Sequence, residues 1–575
     1  MNKLSTSDIV VFLTYFIFVA GYGYWIYTRK KKASMGTKDF FLAEGSLTWW
    51  AIGASLIASN ISAEQFIGMS GEGFFVGVAV AAYEWIAAIA LIIIAIWFIP
   101  IYLKNKIFTM PQFLTQRYNS TVALVMAIFW LFLYVFVNLT SILYLGAVAI
   151  SGLTGFNIQA IMVILLLMAL LITLGGMKVI GFTDVIQVAV LILGGCATVY
   201  MALQMVDTRV NGAESASAIA GFKTLMSEAP EHFKMILDKP ESNTVTLADP
   251  VANLNVQKYV VLPGIAMYFA GQWIVNLNYW GCNQYITQRA LGADLKTART
   301  GILFAGFLKL FMPVIVMLPG IAAYVLHKNG MLENFNGVKD NAYSAILTFL
   351  PTGFKGLAVA ALTAAIVASL AGKANSISTI FTLDVYKKYF DKEASDKKLV
   401  TTGRWAIIVS LLIALFFTLN DTLGIGGEGG FTFIQKYTGF ISPGVFAMFI
   451  LGFFWKRTTA TAALVGIILG FVLSLFFNNW AVDIFGKETW LYTAYEYQVM
   501  KDNVVQNVVE IPFLINMGWS FFITLATMIA ISLAGPKVNP KGLEIDSAMF
   551  KVSPKHVVMI VATLMILIAL YAKFW

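Results

Sequence analysis

Glu64 and Gln65 lie in the run Ala58-Ser59-Asn60-Ile61-Ser62-Ala63-Glu64-Gln65-Phe66-Ile67-Gly68-Met69, within one of the most apolar stretches of the chain, and Glu84 follows in the next hydrophobic segment. A carboxylate at the centre of a bilayer-spanning helix costs about 2.5 to 3.5 kcal/mol even on insertion scales, so its first reading is a ligand, ion or proton site facing a wet cavity. Lys309 stands alone between Gly301 and Leu326. Its ammonium needs a carboxylate or hydroxyl acceptor or a water path; snorkelling to the cytoplasm is the alternative, against which its depth argues. Gln435 sits in a glycine-flanked span with Phe431 one turn earlier, and reads as a further cavity wall. Ile61, Gln65 and Met69 share a helical face with Glu64 beside them, and Asn276, Tyr279, Trp280 and Asn283 follow the i, i+3, i+4, i+7 spacing of one stripe. Amides donate and accept hydrogen bonds, and a flat aromatic covers the apolar face of a ring, so this mixture suits a polyhydroxylated neutral solute better than an ion. Each stripe taken alone also reads as interhelical glue. Ala364 to Leu370 offers one hydroxyl, Ser369, on a small-residue face: a weak sign of a sodium site where a helix opens, or simple packing.

The elements that must position these groups are membrane spans. The chain is 59% hydrophobic and 12% charged, with a mean hydropathy of +0.78. Its 575 residues leave room for about fourteen spans, and the weak ten-residue alternation of a membrane β-barrel is absent. We place the spans at 9–28, 47–74, 79–103, 121–150, 157–176, 182–205, 258–286, 301–326, 356–386, 404–420, 430–454, 459–478, 511–534 and 557–575. The first is too long for a signal-peptide core and lacks a small-residue cleavage site, so it reads as a retained helix. The net charge of +9 collects in short loops on alternate sides of the spans, among them 28–39, 104–117, 288–299 and 387–404. This is the positive-inside pattern rather than a nucleic-acid surface, and it puts both termini outside. The long polar stretches 207–258 and 492–510 then become outer caps, with short amphipathic helices expected in them.

Two interruptions fall in matching places. The Ala58 to Gln65 run followed by Ser70-Gly71-Glu72-Gly73 opens one five-helix block, and Trp273 to Gln284 opens the next. Paired broken helices expose backbone groups at the bilayer midplane and point to a transporter binding site. The organisation expected is an extra helix and cytoplasmic loop over 1–46, a first inverted repeat over 47–206, an outer loop over 207–257, a second repeat over 258–455 and extra helices over 456–575.

No enzymatic constellation is legible. The three histidines, 232, 327 and 556, lie in or beside loops, far apart, with no metal-ligand spacing. Cys196 and Cys282 read as small packing residues. No phosphate-cradling Gly-Lys-Ser/Thr loop appears, which disfavours an ATP-driven pump and leaves an ion gradient as the energy source.

The strings Phe40 to Gly45, Asn60 to Met69, Tyr83-Glu84-Trp85, Asn138 to Ser141, Thr183 to Gln187, Tyr279-Trp280-Gly281, Lys309 and Gln435 to Gly439 resemble the sodium/solute symporter family, most closely its bacterial sodium/galactose and sodium/glucose cotransporters. The resemblance implies an all-α polytopic protein of the leucine-transporter-type fold in the inner membrane, transporting by alternating access around a central sugar. It implies that Gln65, Glu84, Asn276, Lys309 and Gln435 hold the sugar hydroxyls, with Glu64 in support. Tyr279 would stack on the pyranose as inner gate, Met69, Tyr83 and Phe431 would close the outer side, and Asn60 and Tyr134 would tie the gate to the ion site. Sodium would meet the carbonyls of Ala58, Ile61 and Ala365 and the hydroxyl of Ser369, with Asp184 near the exit path.

The chain departs from that pattern in two places. Ala368-Ser369 stands where two serines are expected, removing one sodium-ligand hydroxyl, and Ala87 replaces a serine one turn after Glu84. Lys373 lies one turn beyond Ser369 on the same face, where it is expected to reach the ion pathway or Asp184 and to weaken or partly replace sodium. The expected activity is sodium-coupled import of galactose or glucose. Inositol or sialic acid as solute, and a membrane sensor on the same scaffold, are the alternatives; the chain ends immediately after its last span, where a sensor would carry a signalling domain.

Overall fold

The computed structural model describes residues 4–30, 48–62, 64–107, 110–173, 177–291, 293–332, 335–501 and 504–575. Helices dominate it: α1 Thr6–Lys30, α2 Trp49–Asn60, α3 Met69–Phe75, α4 Gly77–Lys104, α5 Ser120–Thr154, α6 Ile158–Thr173, α7 Met177–Val210, α8 Pro250–Val261, α9 Gly271–Cys282, α10 Leu295–Lys309, α11 Met312–Lys328, α12 Phe354–Phe390, α13 Asp396–Leu419, α14 Gly430–Thr438, α15 Ser442–Phe454, α16 Ala460–Asn479, α17 Phe513–Ala534 and α18 Pro554–Phe574. Among the described residues, eight helices are long and apolar enough to cross a membrane, or up to eleven if each sharply bent pair is one span. Helices α1 and α6 and the interrupted pair α2 and α3 occupy the other places where spans are expected.

Local sequence explains where these helices start and break. Asn119 and Asp294 cap α5 and α10, Asn119 Oδ1 accepting from Val122 N at 2.9 Å and Asp294 Oδ1 from Lys296 N at 3.0 Å and Thr297 N at 3.1 Å. Pro313 has no N–H for the Lys309 carbonyl and Pro443 none for Gly439. The chain bends there by 43° between α10 and α11 and by 47° between α14 and α15. An 82° bend separates 250–268 from α9.

The first and last helices begin and end on one face of the molecule. Asp8 Oδ1 accepts from Gly353 N at 2.7 Å and Gly356 N at 3.0 Å, placing a carboxylate at the N-terminus of α12. At the other end of the chain Met235 N donates to Phe574 O at 2.6 Å. Lys328 Nζ at the end of α11 donates to Glu228 O of the 211–249 loop at 2.7 Å, and Arg209 near the end of α7 donates to Met331 O of the 329–353 loop at 3.0 Å, on that same face.

The structure corrects two expectations. The single span at 47–74 is two helices: α2 ends at Asn60, Ile61 turns extended at ψ 95°, and Glu64–Gly68 forms a π-helical turn before α3. The shared face of Ile61, Gln65 and Met69 therefore does not exist, because the 3.6-residue register is lost across the break. Of the two outer caps, 207–258 does carry helices, Ala218–Glu228 and α8, whereas 492–510 forms an antiparallel hairpin, β1 Tyr495–Lys501 on β2 Val504–Glu510, with Tyr495 opposite Glu510. Val504, Val505, Val508 and Val509 favour a pleated strand over a helix.

Candidate functional site

The two broken elements face one another. Helices α2 and α10 pack at backbone distance because residues 53 and 301 are glycine: a Cβ on Gly301 would lie 2.8 Å from both Ile52 Cβ and the Trp49 carbonyl oxygen, and one on Gly53 would lie 2.9 Å from the Gly301 carbonyl. That approach carries Lys309, the last residue of α10, beneath Asn60, the last residue of α2. Lys309 is fully buried, and its ammonium donates to Glu84 Oε2 and to Asn60 Oδ1, with Nζ 5.1 Å from the Trp280 ring centroid. Asn60 Nδ2 donates in turn to Tyr279 OH at 3.4 Å.

These groups border an internal cavity of about 90 Å³. Glu64, Gln65, Glu84, Asn276, Lys309 and Gln435 all line it, as do Asn60, Tyr83, Tyr279 and Phe431. So do Trp280 and Asn283, and the expected stripe on α9 is therefore a cavity wall, with Asn283 just past the helix end. Glu64 Oε1 and Gln65 Oε1 are buried without a hydrogen-bond partner, two acceptors presented to whatever fills the space. Asn276 Nδ2 donates to Gln272 O at 2.9 Å, which fixes the amide across α9. Ala87 lines the cavity as well, so the hydroxyl that a serine there would supply is missing from the wall itself.

Tyr83 packs against Phe431 in the cavity wall, edge to face with centroids 5.2 Å apart. Met69, expected to join them, is fully buried and is not among the lining residues. Above this pair, Lys339 Nζ and Thr432 Oγ1 both donate to Glu72 Oε1 at 2.6 Å, and Gly430 N donates to Asp340 Oδ2 at 3.0 Å. Sequence reading noted Glu72 only as a helix interruption and missed Lys339, which lies in a loop without periodicity.

Toward the expected ion site, Tyr134 OH donates to Asn283 Oδ1 at 2.9 Å. Ser369 and Lys373 border the same cavity. Lys373 is 8% exposed; its ammonium donates to Asn138 Oδ1 at 3.2 Å, lies 5.3 Å from the Tyr134 ring centroid, and attracts Glu64 electrostatically. Among the described side chains, Ile61 and Ala365 do not line the cavity, and Ala368 is half-buried. The side chains of Ala58 and Asp184 lie outside the described residues. Asn138, a lone amide in the apolar α5, was quoted above only as part of a family string, yet its placement in that helix is a signal of the same kind as Glu64.

Fold and site together define a multi-pass helical carrier with a solute cavity at paired helix breaks. The pattern of the sodium:solute symporter family matches residues 40–470. The chain belongs to that family. A sodium/glucose cotransporter of Vibrio parahaemolyticus is 41% identical over 588 aligned positions, covering 100% of this chain and 99% of that protein. Sodium/myo-inositol cotransporter 2 of Mus musculus is 32% identical over 82% of this chain and 70% of its own length. Among solved structures, a Na+-coupled sialic acid symporter in a substrate-bound outward-open state aligns with a TM-score of 0.72 at 19% identity, over 93% of this chain and 99% of that one. The fold is thus of the leucine-transporter type.

Proposed function

We propose that the protein imports a neutral hexose, galactose or glucose, together with sodium across the cytoplasmic membrane by alternating access. The observation that carries this reading is the charge balance of the cavity: its charged members among the described residues are Glu64, Glu84, Lys309 and Lys373, two acids and two bases. A wall that is already neutral favours a neutral ligand, and its amides offer donors and acceptors for hydroxyls. An anionic solute would call for an arginine clamp, and none lines the cavity among the described residues. Full-length similarity to a bacterial sodium/glucose cotransporter supports the hexose over the polyol of the more distant relative.

In this reading Gln65, Glu84, Asn276, Lys309 and Gln435 bind the hydroxyls, Glu64 supports Gln65, and Tyr279 covers the ring from the inner side. Sodium is the co-transported ion. Carbonyls where α2 ends, the Ala365 carbonyl and the Ser369 hydroxyl form an oxygen-only donor set suited to a hard cation. Sodium bridging α2 and α12 holds the outward-open state, and the sugar then permits closure; this requires sodium to bind the open state more tightly. One sodium moving down 100 mV supplies about 2.3 kcal/mol, enough for roughly fifty-fold accumulation of a neutral solute before any concentration term.

Uptake of labelled galactose by proteoliposomes, with and without an imposed sodium gradient and against a panel of hexose epimers and inositols, tests both halves. Sodium-driven accumulation with hexoses as the strongest competitors is expected. Uptake indifferent to the gradient sinks the coupling, and inositol as the strongest competitor reassigns the solute.

A further inference from the structure

We propose that Lys373 is a tethered competitor of sodium, a resident cation that sets the ion affinity of this carrier; this rests on the sodium-coupled reading above. In the cavity wall Lys309 is committed to Glu84 and Asn60, which leaves Glu64 as the carboxylate not engaged by that lysine. Among the described residues, Glu64 Oε2 accepts only from Ser62 Oγ, at 3.3 Å, and its Oε1 has no hydrogen-bond partner. The ammonium of Lys373, held by Asn138 and over Tyr134, borders the same cavity and acts on Glu64 electrostatically across it.

Lys373 and Ser369 are four residues apart on α12 and border that cavity together. The ammonium therefore lies one helical turn from the proposed ligand hydroxyl. A sodium ion entering beside Ser369 meets this fixed positive charge in a poorly screened interior, and finds the one carboxylate that would welcome it already neutralised. Each cation is satisfied by the same negative group. Binding one disfavours the other, and the sugar-competent state is partly supported by the lysine when sodium is scarce.

The charge argument separates the two residues. Removing Lys373 alone leaves Glu64 uncompensated and draws sodium in. Removing both charges restores neutrality, so affinity falls back toward the wild-type value. Glu64→Gln alone removes one negative charge from the cavity while Lys373 stays held by Asn138, and weakens sodium further.

The test uses full-length protein purified in detergent, titrated with sodium against choline at constant ionic strength. The readouts are the sodium-induced rise in melting temperature and, by calorimetry, the sodium dependence of galactose affinity. Lys373→Met is expected to lower the half-saturating sodium concentration by about ten-fold or more, and Lys373→Met with Glu64→Gln to show no such gain. If the single variant does not fold, the Glu64→Gln protein still carries the prediction, through its raised half-saturating concentration. A sodium response unchanged in Lys373→Met, or an equal gain in the double variant, overturns the proposal while leaving sodium coupling intact. Absence of any sodium response in wild type and every variant overturns both.

Discussion

Lys309 shows how far single residues reveal this site. A fully buried ammonium needs more than one acceptor, and it has two, Glu84 and Asn60, with the Trp280 face beside it. Breaking a buried pair by deleting one partner costs about 3–5 kcal/mol, because the survivor is left charged and unpaired. Lys309→Met and Glu84→Gln should each lower the melting temperature and abolish concentrative uptake. The Lys309→Met/Glu84→Gln double variant should be less destabilised than the sum of the singles, with a coupling of about 0.5–3 kcal/mol in a thermal-melting cycle; strict additivity would show that the two do not act as a pair. Both residues were legible in the sequence as charges too expensive to be idle. Their partnership was not, since 225 positions separate them and no periodicity links them. The same is true of Glu64 and Lys373, which border one cavity only because α12 passes beside the break.

At the scale of elements, the break itself was readable and its geometry was not. A polar Ser-Ala-Glu-Gln string in an apolar run signals an interruption, but whether the chain resumes as an α-helix or a π-helical turn depends on tertiary packing against α14, where Gly68 faces the Phe431 Cβ. The hairpin at 495–510 was missed because its alternation is short and lies beside polar sequence that reads as a loop. The packing of α2 on α10 permits a direct test. A methyl at 301 must displace the Trp49 carbonyl or Ile52, and such overpacking costs about 1–3 kcal/mol. Because Lys309 closes the same helix, Gly301→Ala should lower melting temperature and weaken sugar binding together. Gly427→Ala, where a Cβ meets nothing within 4 Å, should change neither melting nor binding. Equal behaviour of the two variants would detach the cavity from this helix contact.

For the whole molecule, the 211–249 loop is tied to the core through His232. Its ring stacks on Tyr324 of α11 with centroids 3.8 Å apart, and a ring nitrogen hydrogen-bonds Phe74 O of α3 at 3.0 Å. The loop thus holds both α3 and α11. Burial, with smaller contributions from Lys258 and Lys328, depresses the imidazole to about 4 from its ordinary 6.5. The folded state therefore holds His232 neutral where the unfolded chain takes up a proton. Its contribution to stability is fully present above about pH 6.5 and is lost as pH falls toward 4, with a limit of about 3 kcal/mol. Thermal melting of the purified protein across that window should decline on acidification, and His232→Phe, which keeps the ring stack and removes the titrating nitrogen, should flatten the decline at the expense of one hydrogen bond. A decline of the same depth in the His232→Phe protein would assign the acid sensitivity to other groups, and would mean that protonation of this histidine does not loosen the loop.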